Sequence, residues 1–168
     1  RWAGVVGKGL TRFDPRTGKT KLFTHDAADP GSLLSDKVYS VLGDHTGTVW
    51  VGTSSGLDRF DPKTERFVHY RHNDDDPRSL SDNFVWPLLE DRNGNLWVGT
   101  YFGGLNRFDR SNETFTRYVH DESNPRSLSG DQIYSLYQDS SGMIWVGTGD
   151  HGADRFHPEL SRFTHYLK

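Results

Sequence analysis

Residues 91–109, with the sequence DRNGNLWVGTYFGGLNRFD, decide the fold because they belong to a unit that returns along the whole chain. The tetrapeptide Trp-Val-Gly-Thr occurs at 50–53, 97–100 and 145–148, and Trp2 opens a related tetrapeptide at 2–5. The four Trp residues are 48, 47 and 48 positions apart. A Leu/Ala-x-Arg-Phe tetrad follows each of them, at 10–13, 57–60, 105–108 and 153–156. A repeat of this length is typical of propellers and related arrays.

Each unit divides into four short strands. In the third unit, turn-forming residues at 91–94, 102–104 and 109–112 separate strands predicted at 84–90, 95–100, 105–108 and 114–118. The same pattern places the first strands of the full units near 38–42, 85–89 and 133–137. It gives fifteen strands in all, because the first unit contains only three. Four-stranded antiparallel blades of about 48 residues, without helical periodicity, predict an all-β fold of the β-propeller class.

The predicted organisation is one partial propeller over residues 1–168, with an incomplete blade at 1–23 and full blades at 33–70, 80–118 and 128–166. An arc of this kind leaves the outer faces of its terminal blades uncovered. We therefore expect the remaining blades of the same propeller, or self-association, to cover those faces.

Composition narrows the class of protein and of partner. Aromatic residues reach 13% and Gly accounts for 18 of 168 residues, which excludes a disordered chain and suits pleated strands with tight turns. A formal net charge of -3, with acids and bases interspersed, argues against a nucleic-acid partner. No apolar run is long enough for a membrane segment, and without Cys there is no disulfide or thiolate metal site. We predict no cofactor and no metal, and interpret Asp74, Asp75 and Asp76 as a solvated loop.

Residues present in every unit are interpreted as structural, since they serve the blade rather than one ligand site. The repeated Trp residues are predicted to pack between blades, the Asp before each turn to hold that turn, and the repeated Arg to link neighbouring blades. A His that recurs at one equivalent position also receives a structural role. These sets are Trp2, Trp50, Trp97 and Trp145; Asp44, Asp91 and Asp139; Arg12, Arg59, Arg107 and Arg155; and His25, His72 and His120.

Two motifs carry a family resemblance, Asp-x-x-Gly-x-x-Trp-x-Gly-Thr and Gly-Leu-x-Arg-Phe-Asp. Together with Asn124-Pro-Arg-Ser-Leu-Ser129 and its counterparts, they make the units resemble the two-component-regulator propeller repeat. The resemblance implies a seven-bladed propeller in the extracytoplasmic sensor half of a bacterial membrane receptor whose output part is a histidine kinase or a diguanylate cyclase. It implies a periplasmic or extracytoplasmic input module that is not an enzyme. By analogy with the family, its ligand is a carbohydrate or another small polar molecule.

Two alternatives stay open. The segment Arg12-Phe-Asp-Pro-Arg-Thr-Gly18 is similar to the repeat of streptogramin lyases, which are propeller enzymes. Such an enzyme needs unique acid and base residues that converge at one end of the channel. Of the singular residues His45, His151 and His157, only His151 lies in a loop between a second and a third strand. The other alternative is a plain protein-interaction propeller.

The candidate ligand site lies on loops that differ from unit to unit, at 5–9, 54–56, 101–104 and 149–152. In these loops Tyr101 and Phe102 offer aromatic faces for a sugar ring, and Asp150 with His151 offers polar groups for hydroxyls. The same site is predicted to include residues of the first strands, namely Tyr39, Trp86 and Tyr134 and, two positions before an aromatic, Lys37 and Gln132. Packing of the aromatics and neutral drift of the loops are the competing interpretations.

Overall fold

The computed structural model describes residues 1–166, which contain fifteen strands and no helix. Over that range, accordingly, no helix is long and apolar enough to cross a membrane. The strands form four antiparallel sheets, one with three strands and three with four, which confirms the predicted propeller arc. They are β1 (Trp2–Val5), β2 (Gly9–Phe13), β3 (Thr20–Phe23), β4 (Val38–Gly43), β5 (Val49–Thr53), β6 (Gly56–Asp61), β7 (Arg66–Tyr70), β8 (Val85–Glu90), β9 (Leu96–Thr100), β10 (Leu105–Asp109), β11 (Thr114–Tyr118), β12 (Ile133–Gln138), β13 (Ile144–Thr148), β14 (Ala153–His157) and β15 (Arg162–Tyr166).

Each sheet keeps its strands in chain order, so every blade is an antiparallel meander. The first strands of the four-stranded blades lie beside one another, β4 next to β8 and β8 next to β12. They form the inner edge of the arc, where the first strands of a propeller line the central channel. They begin at 38, 85 and 133, as the repeat predicted, and each ends one residue beyond 42, 89 and 137. The wider prediction of 84–90 for the third unit has the correct end and begins one residue early.

The repeated Trp residues pack between blades wherever another blade lies against them. Trp50 is 1% exposed and meets Phe108 of the next blade edge to face, with ring centroids 5.1 Å apart. Trp97 is fully buried and contacts Phe156 of the following blade at 5.4 Å. Burial of one such side chain contributes on the order of 3 kcal/mol. Trp145, in the last blade, is only half-buried.

The Asp before each β-turn holds the turn, as predicted, and also binds the repeated Trp. Asp91 Oδ1 accepts hydrogen bonds from the backbone N–H groups of Asn93 and Asn95, both at 2.9 Å. Its other oxygen, Oδ2, accepts one from the indole N–H of Trp97 at 2.8 Å. The same indole bond, again 2.8 Å long, joins the other two pairs of the set, Asp44 with Trp50 and Asp139 with Trp145. Each carboxylate therefore ties a turn to the core between blades.

Two of the repeated Arg residues link neighbouring blades, which confirms that interpretation for them. Arg12 donates to Glu65 of the next blade at 2.6 Å, and Arg59 donates to Glu113 of the blade after that at 2.7 Å. Both guanidinium groups also lie over the Trp ring of their own blade, at 5.8 and 6.0 Å from its centroid. Arg155 lies over the Trp of its own blade in the same way, at 5.9 Å. In the first two blades the ladder therefore combines an ion pair between blades with a cation–π contact inside the blade.

The recurring His residues fasten the linkers between blades and have the structural role predicted for them. In each linker the His Nδ1 is hydrogen-bonded to the carbonyl oxygen of the Leu eight residues later, at 2.7 to 2.8 Å. The pairs are His25 with Leu33, His72 with Leu80 and His120 with Leu128. Because this bond occupies one ring nitrogen in all three copies, these residues are linker anchors.

Candidate ligand-binding site

The loop after each second strand is fixed to the residue that precedes the first strand of the same blade. In every four-stranded blade, a backbone N–H of the loop donates to a carbonyl oxygen at the entrance to the first strand. The three bonds are Ser54 to Lys37 at 3.1 Å, Tyr101 to Phe84 at 2.9 Å and Gly149 to Gln132 at 3.0 Å. The structure therefore gathers loop residues and first-strand residues of the predicted site at one end of the blades.

A register shift near the start of each first strand changes the direction of one aromatic side chain. In β4 the pairing passes from Val38 to Ser40 and leaves Tyr39 out of the ladder; in β12 it leaves out Tyr134 in the same way. In β8 both Trp86 and Pro87 fall in the gap. Bulges of this kind re-aim side chains and are over-represented beside binding sites. In β8 alone, Pro87, which cannot donate to a ladder, could have indicated the irregularity from the sequence.

Six aromatic rings from three consecutive blades form one continuous cluster around Trp86. The Trp86 ring centroid lies 5.5 Å from that of Tyr39, 5.2 Å from that of Tyr134 and 5.9 Å from that of Tyr101. Phe102 joins edge to face with Tyr101 at 4.5 Å and is 62% exposed. We call this cluster the aromatic platform; its members are Tyr39, Phe84, Trp86, Tyr101, Phe102 and Tyr134.

Polar groups lie along the edge of the platform nearest the last blade. The Tyr134 hydroxyl donates to the Tyr101 hydroxyl at 3.1 Å. Gly149 packs so closely here that a Cβ at this position would lie 2.5 Å from Gln132 Oε1 and 3.0 Å from the Tyr134 ring. Asp150 follows directly. The hydrogen bond with Tyr101, then burial, and then the charges of Tyr101 and Asp150 raise the pKa of the Tyr134 phenol.

Two other predicted site residues lie at the margins. The His151 ring stacks on the linker residue His120, with centroids 6.4 Å apart, and borders Gly130. Lys37 is exposed and forms a β-bridge with Val6 of the first blade, so it lies on the side opposite Asp150. The structure thus unites Tyr39, Trp86, Tyr101, Phe102, Tyr134 and Gln132, places Asp150 beside them, and leaves Lys37 and His151 at the two margins.

The three singular His residues do not converge. His45 lies in the turn between β4 and β5, where its Nδ1 is 2.5 Å from Glu90 Oε1, and His157 ends β14. Both positions are at the opposite end of the blades from His151, which lies in the loop before β14. A five-residue strand separates the two ends by roughly 15 Å. Together these three residues form no acid and base pair.

The opposite end of the blades contains a polar cleft of about 480 Å³ that includes His45 and Arg110. Arg110 donates to Asp44 at 2.8 Å and to Glu90 at 3.2 Å, and so joins two blades. Arg110 stands where the other three units have Pro. Burial alone would raise the pKa of Asp44, but hydrogen bonds from Thr46, the Trp50 indole and Arg110 outweigh it and lower the pKa. These groups satisfy one another and work as a clasp between blades.

The acidic run between the second and third blades consists of exposed, locally bonded side chains. Asp74 pairs with His72 at 2.9 Å, and Asp76 accepts the backbone N–H of Arg78 at 2.9 Å. Within residues 1–166, no group of three or more His, Asp or Glu side chains is arranged around a cation position.

The fold is an arc of propeller blades, and the aromatic platform lies at one end of the first strands. The two component regulator propeller family matches residues 32–55, 79–102 and 127–150. Three segments of the chain therefore match the repeat of that family, as the sequence resemblance predicted. No curated protein sequence matches significantly.

Solved structures with the same fold include extracellular domains of two component systems and a lyase. The extracellular domain of the hybrid two component system BT3049 from B. thetaiotaomicron is 25% identical, with a TM-score of 0.78 over 97% of this chain and 21% of that one. The corresponding domain of BT4673 from the same organism is 24% identical, with a TM-score of 0.80 over 98% and 23%. Virginiamycin B lyase from Staphylococcus aureus is 17% identical, with a TM-score of 0.68 over 96% and 49%. The chain spans about a fifth of the length of these two extracellular domains.

Proposed function

We propose that this chain is the ligand-binding part of an extracytoplasmic sensor in a bacterial signal-transduction receptor, and that it binds a carbohydrate on the aromatic platform. The observation that carries the proposal is the platform itself: the bulged aromatics of three blades form one cluster with Tyr101, which in turn contacts Phe102, at one end of the channel. The repeat family and the extracellular domains that share the fold support the sensor role and the extracytoplasmic location.

The platform has the surface chemistry that sugars need. A pyranose presents C–H groups on its faces and hydroxyls at its edge, so it stacks on an aromatic ring while polar groups beside the ring take the hydroxyls. Phe102 and Tyr134 are 62% and 40% exposed and supply the ring faces. Gln132, Asp150 and the Tyr101 hydroxyl supply the polar edge.

Binding without catalysis is favoured over the lyase alternative. A propeller lyase requires a convergent acid and base at one end of the channel. His151 stacks on His120, whose Nδ1 is committed to a linker carbonyl, while His45 pairs with Glu90 at the other end. The lyase neighbour, at 17% identity, supports the shared fold alone.

The outer face of the last blade exposes aromatic side chains of the kind that a following blade covers elsewhere in the arc. Trp145 occupies the position at which Trp50 and Trp97 are covered by a following blade. Tyr137 and Tyr166 on the same face are 64% and 47% exposed. We propose that a further blade of the same propeller, or a second copy of this chain, covers this face.

Calorimetric titration of the purified chain with maltohexaose, cellohexaose and laminarihexaose tests the function. We expect at least one to bind, and Tyr101→Ala or Phe102→Ala to weaken it by about 1 to 3 kcal/mol through loss of aromatic contact, roughly 5- to 150-fold. Tyr137→Ala is the matched control, since Tyr137 is 64% exposed and lies further along β12 from Tyr134. Binding that survives both platform substitutions would remove the platform from the site, and turnover of the glycan would overturn the proposed role.

A further inference from the structure

The charged groups of the platform are few and unevenly placed. The segments that build it, at 37–39, 84–86, 101–102, 132–134 and 149–151, contain one Lys, one Asp and no Arg. Lys37 lies on the first-blade side, next to Val6. Asp150 lies on the last-blade side, where it directly follows Gly149, the residue that packs against Tyr134 and Gln132. The two charges therefore do not form one ion pair across the rings.

The most exposed rings are on the acidic side. Phe102 and Tyr134 are 62% and 40% exposed. The Tyr134 phenol is bonded to that of Tyr101, Gln132 Oε1 lies against Gly149, and the Asp150 charge acts on the Tyr134 phenol. A carboxylate only accepts hydrogen bonds, so this edge suits ligand hydroxyls, which donate. Proteins that recognise anionic sugars instead place Arg or Lys where the ligand charge sits.

Three Arg residues of the arc are engaged in ion pairs away from this edge, whereas Arg71 packs its stem against Gly56 in the loop of the second blade. Arg12 in β2 pairs with Glu65, and Arg59 in β6 pairs with Glu113. Arg110 forms the clasp at the opposite end of the blades. Asp82 lies near Phe102, because a Cβ at Gly103 would be 2.9 Å from the Asp82 Cβ, although its Oδ2 already accepts the backbone N–H of Phe84. A ligand over Phe102 and Tyr134 therefore meets the carboxylates of Asp82 and Asp150, with Lys37 on the far side of the rings.

Building on the proposed function, we infer that the platform selects uncharged glycans and discriminates against glycans with carboxylate or sulfate groups, with Asp150 as the residue that sets this selectivity. A neutral sugar stacks on the rings and donates hydroxyl hydrogen bonds to Asp150 and Gln132. A ligand carboxylate at the same place meets a like charge at short range, in a partly desolvated setting where screening is weaker than in bulk water.

Matched pairs of ligands test the inference. Maltohexaose, cellohexaose and laminarihexaose are each titrated calorimetrically against the oligouronate made by oxidising their primary hydroxyls, so that the backbone is kept and only the charge changes. In the pair that binds, we expect the affinity for the neutral glycan to exceed that for the oligouronate by about tenfold or more at low salt, and this difference in affinity to be smaller at high salt. Asp150→Asn is expected to narrow the gap, whereas Glu159→Gln, which removes an exposed carboxylate at the opposite end of the blades, leaves it unchanged.

The outcomes separate this inference from the function on which it rests. Equal or tighter binding of the oligouronate overturns the selectivity and leaves a carbohydrate sensor standing. A neutral preference that Asp150→Asn does not alter overturns the role of Asp150. If no hexasaccharide binds in either charge state, the proposed carbohydrate function itself fails.

Discussion

Replacement of Asp91 by Ala tests whether the turn carboxylate secures the core between blades. The substitution removes the acceptor of two backbone N–H groups and of the Trp97 indole N–H, which is 2.8 Å away. Water can reach the turn, but Trp97 is fully buried, so its N–H is left without a partner. An unsatisfied buried donor costs about 1 to 3 kcal/mol, and the lost charge-assisted turn bonds add about 1 to 2. We expect the free energy of unfolding to fall by roughly 3 kcal/mol.

Urea denaturation of the purified chain, followed by tryptophan fluorescence and circular dichroism, measures this change, with the m-value checked for constancy. Asp139→Ala is the matched control, because it breaks the same bond to Trp145, an indole that is only half-buried. We expect a clearly smaller loss there, since water replaces the carboxylate. Equal losses in the two variants, or a loss below about 1 kcal/mol for Asp91→Ala, would refute the reasoning from buried indoles.

Three further outcomes follow from the same structure. Hydrogen bonds lower the pKa of Asp44, and lower that of Asp139 from 3.8 to about 2. The stability that these two carboxylates contribute is present above pH 3.8 and is lost as the pH falls through their folded pKa values. The melting temperature should therefore fall between pH 5 and 2, and Asp139→Asn should make that fall shallower. The hydrogen bond with Asp58 raises the pKa of His69 above 6.5. The stability that this pair contributes is present below pH 6.5 and is lost as the pH rises through the higher folded pKa. An NMR titration that gives His69 a pKa at or below 6.5 contradicts this. Light scattering should show concentration-dependent association through the face around Trp145, and a cooperatively folded monomer at high concentration contradicts it.

The repeat in the sequence predicted the blades because it contains the local determinants of each blade. The spacing of Trp50, Trp97 and Trp145 places the second strands, and the Asp and Gly before each Trp place the turns. Since every unit repeats the same signals, an error in one predicted strand boundary is not carried into the next unit. The first strands consequently begin at the residues predicted and extend by only one residue more.

The site was only partly predictable, because its geometry depends on contacts between blades. The residues Tyr39 and Tyr134 were recognised as equivalent, but the bulge that removes them from the ladder was not. Phe84 stands at the repeat position equivalent to Lys37 and Gln132, but its ring contacts with Tyr39 and Tyr101 depend on how the neighbouring blade and the loop pack. The indole bond to the turn Asp has fixed spacing, six residues, and could have been read from the sequence by asking where each buried N–H finds an acceptor.

The measurement that tests the central claim most directly is a crystal structure of the chain with the hexasaccharide that binds best in the calorimetric panel. We expect a sugar ring stacked on Phe102 or Tyr134, with hydroxyls at hydrogen-bond distance from Gln132 and Asp150. A glycan bound instead in the polar cleft beside Arg110, or at the linkers between blades, with the aromatic platform bare, would contradict it.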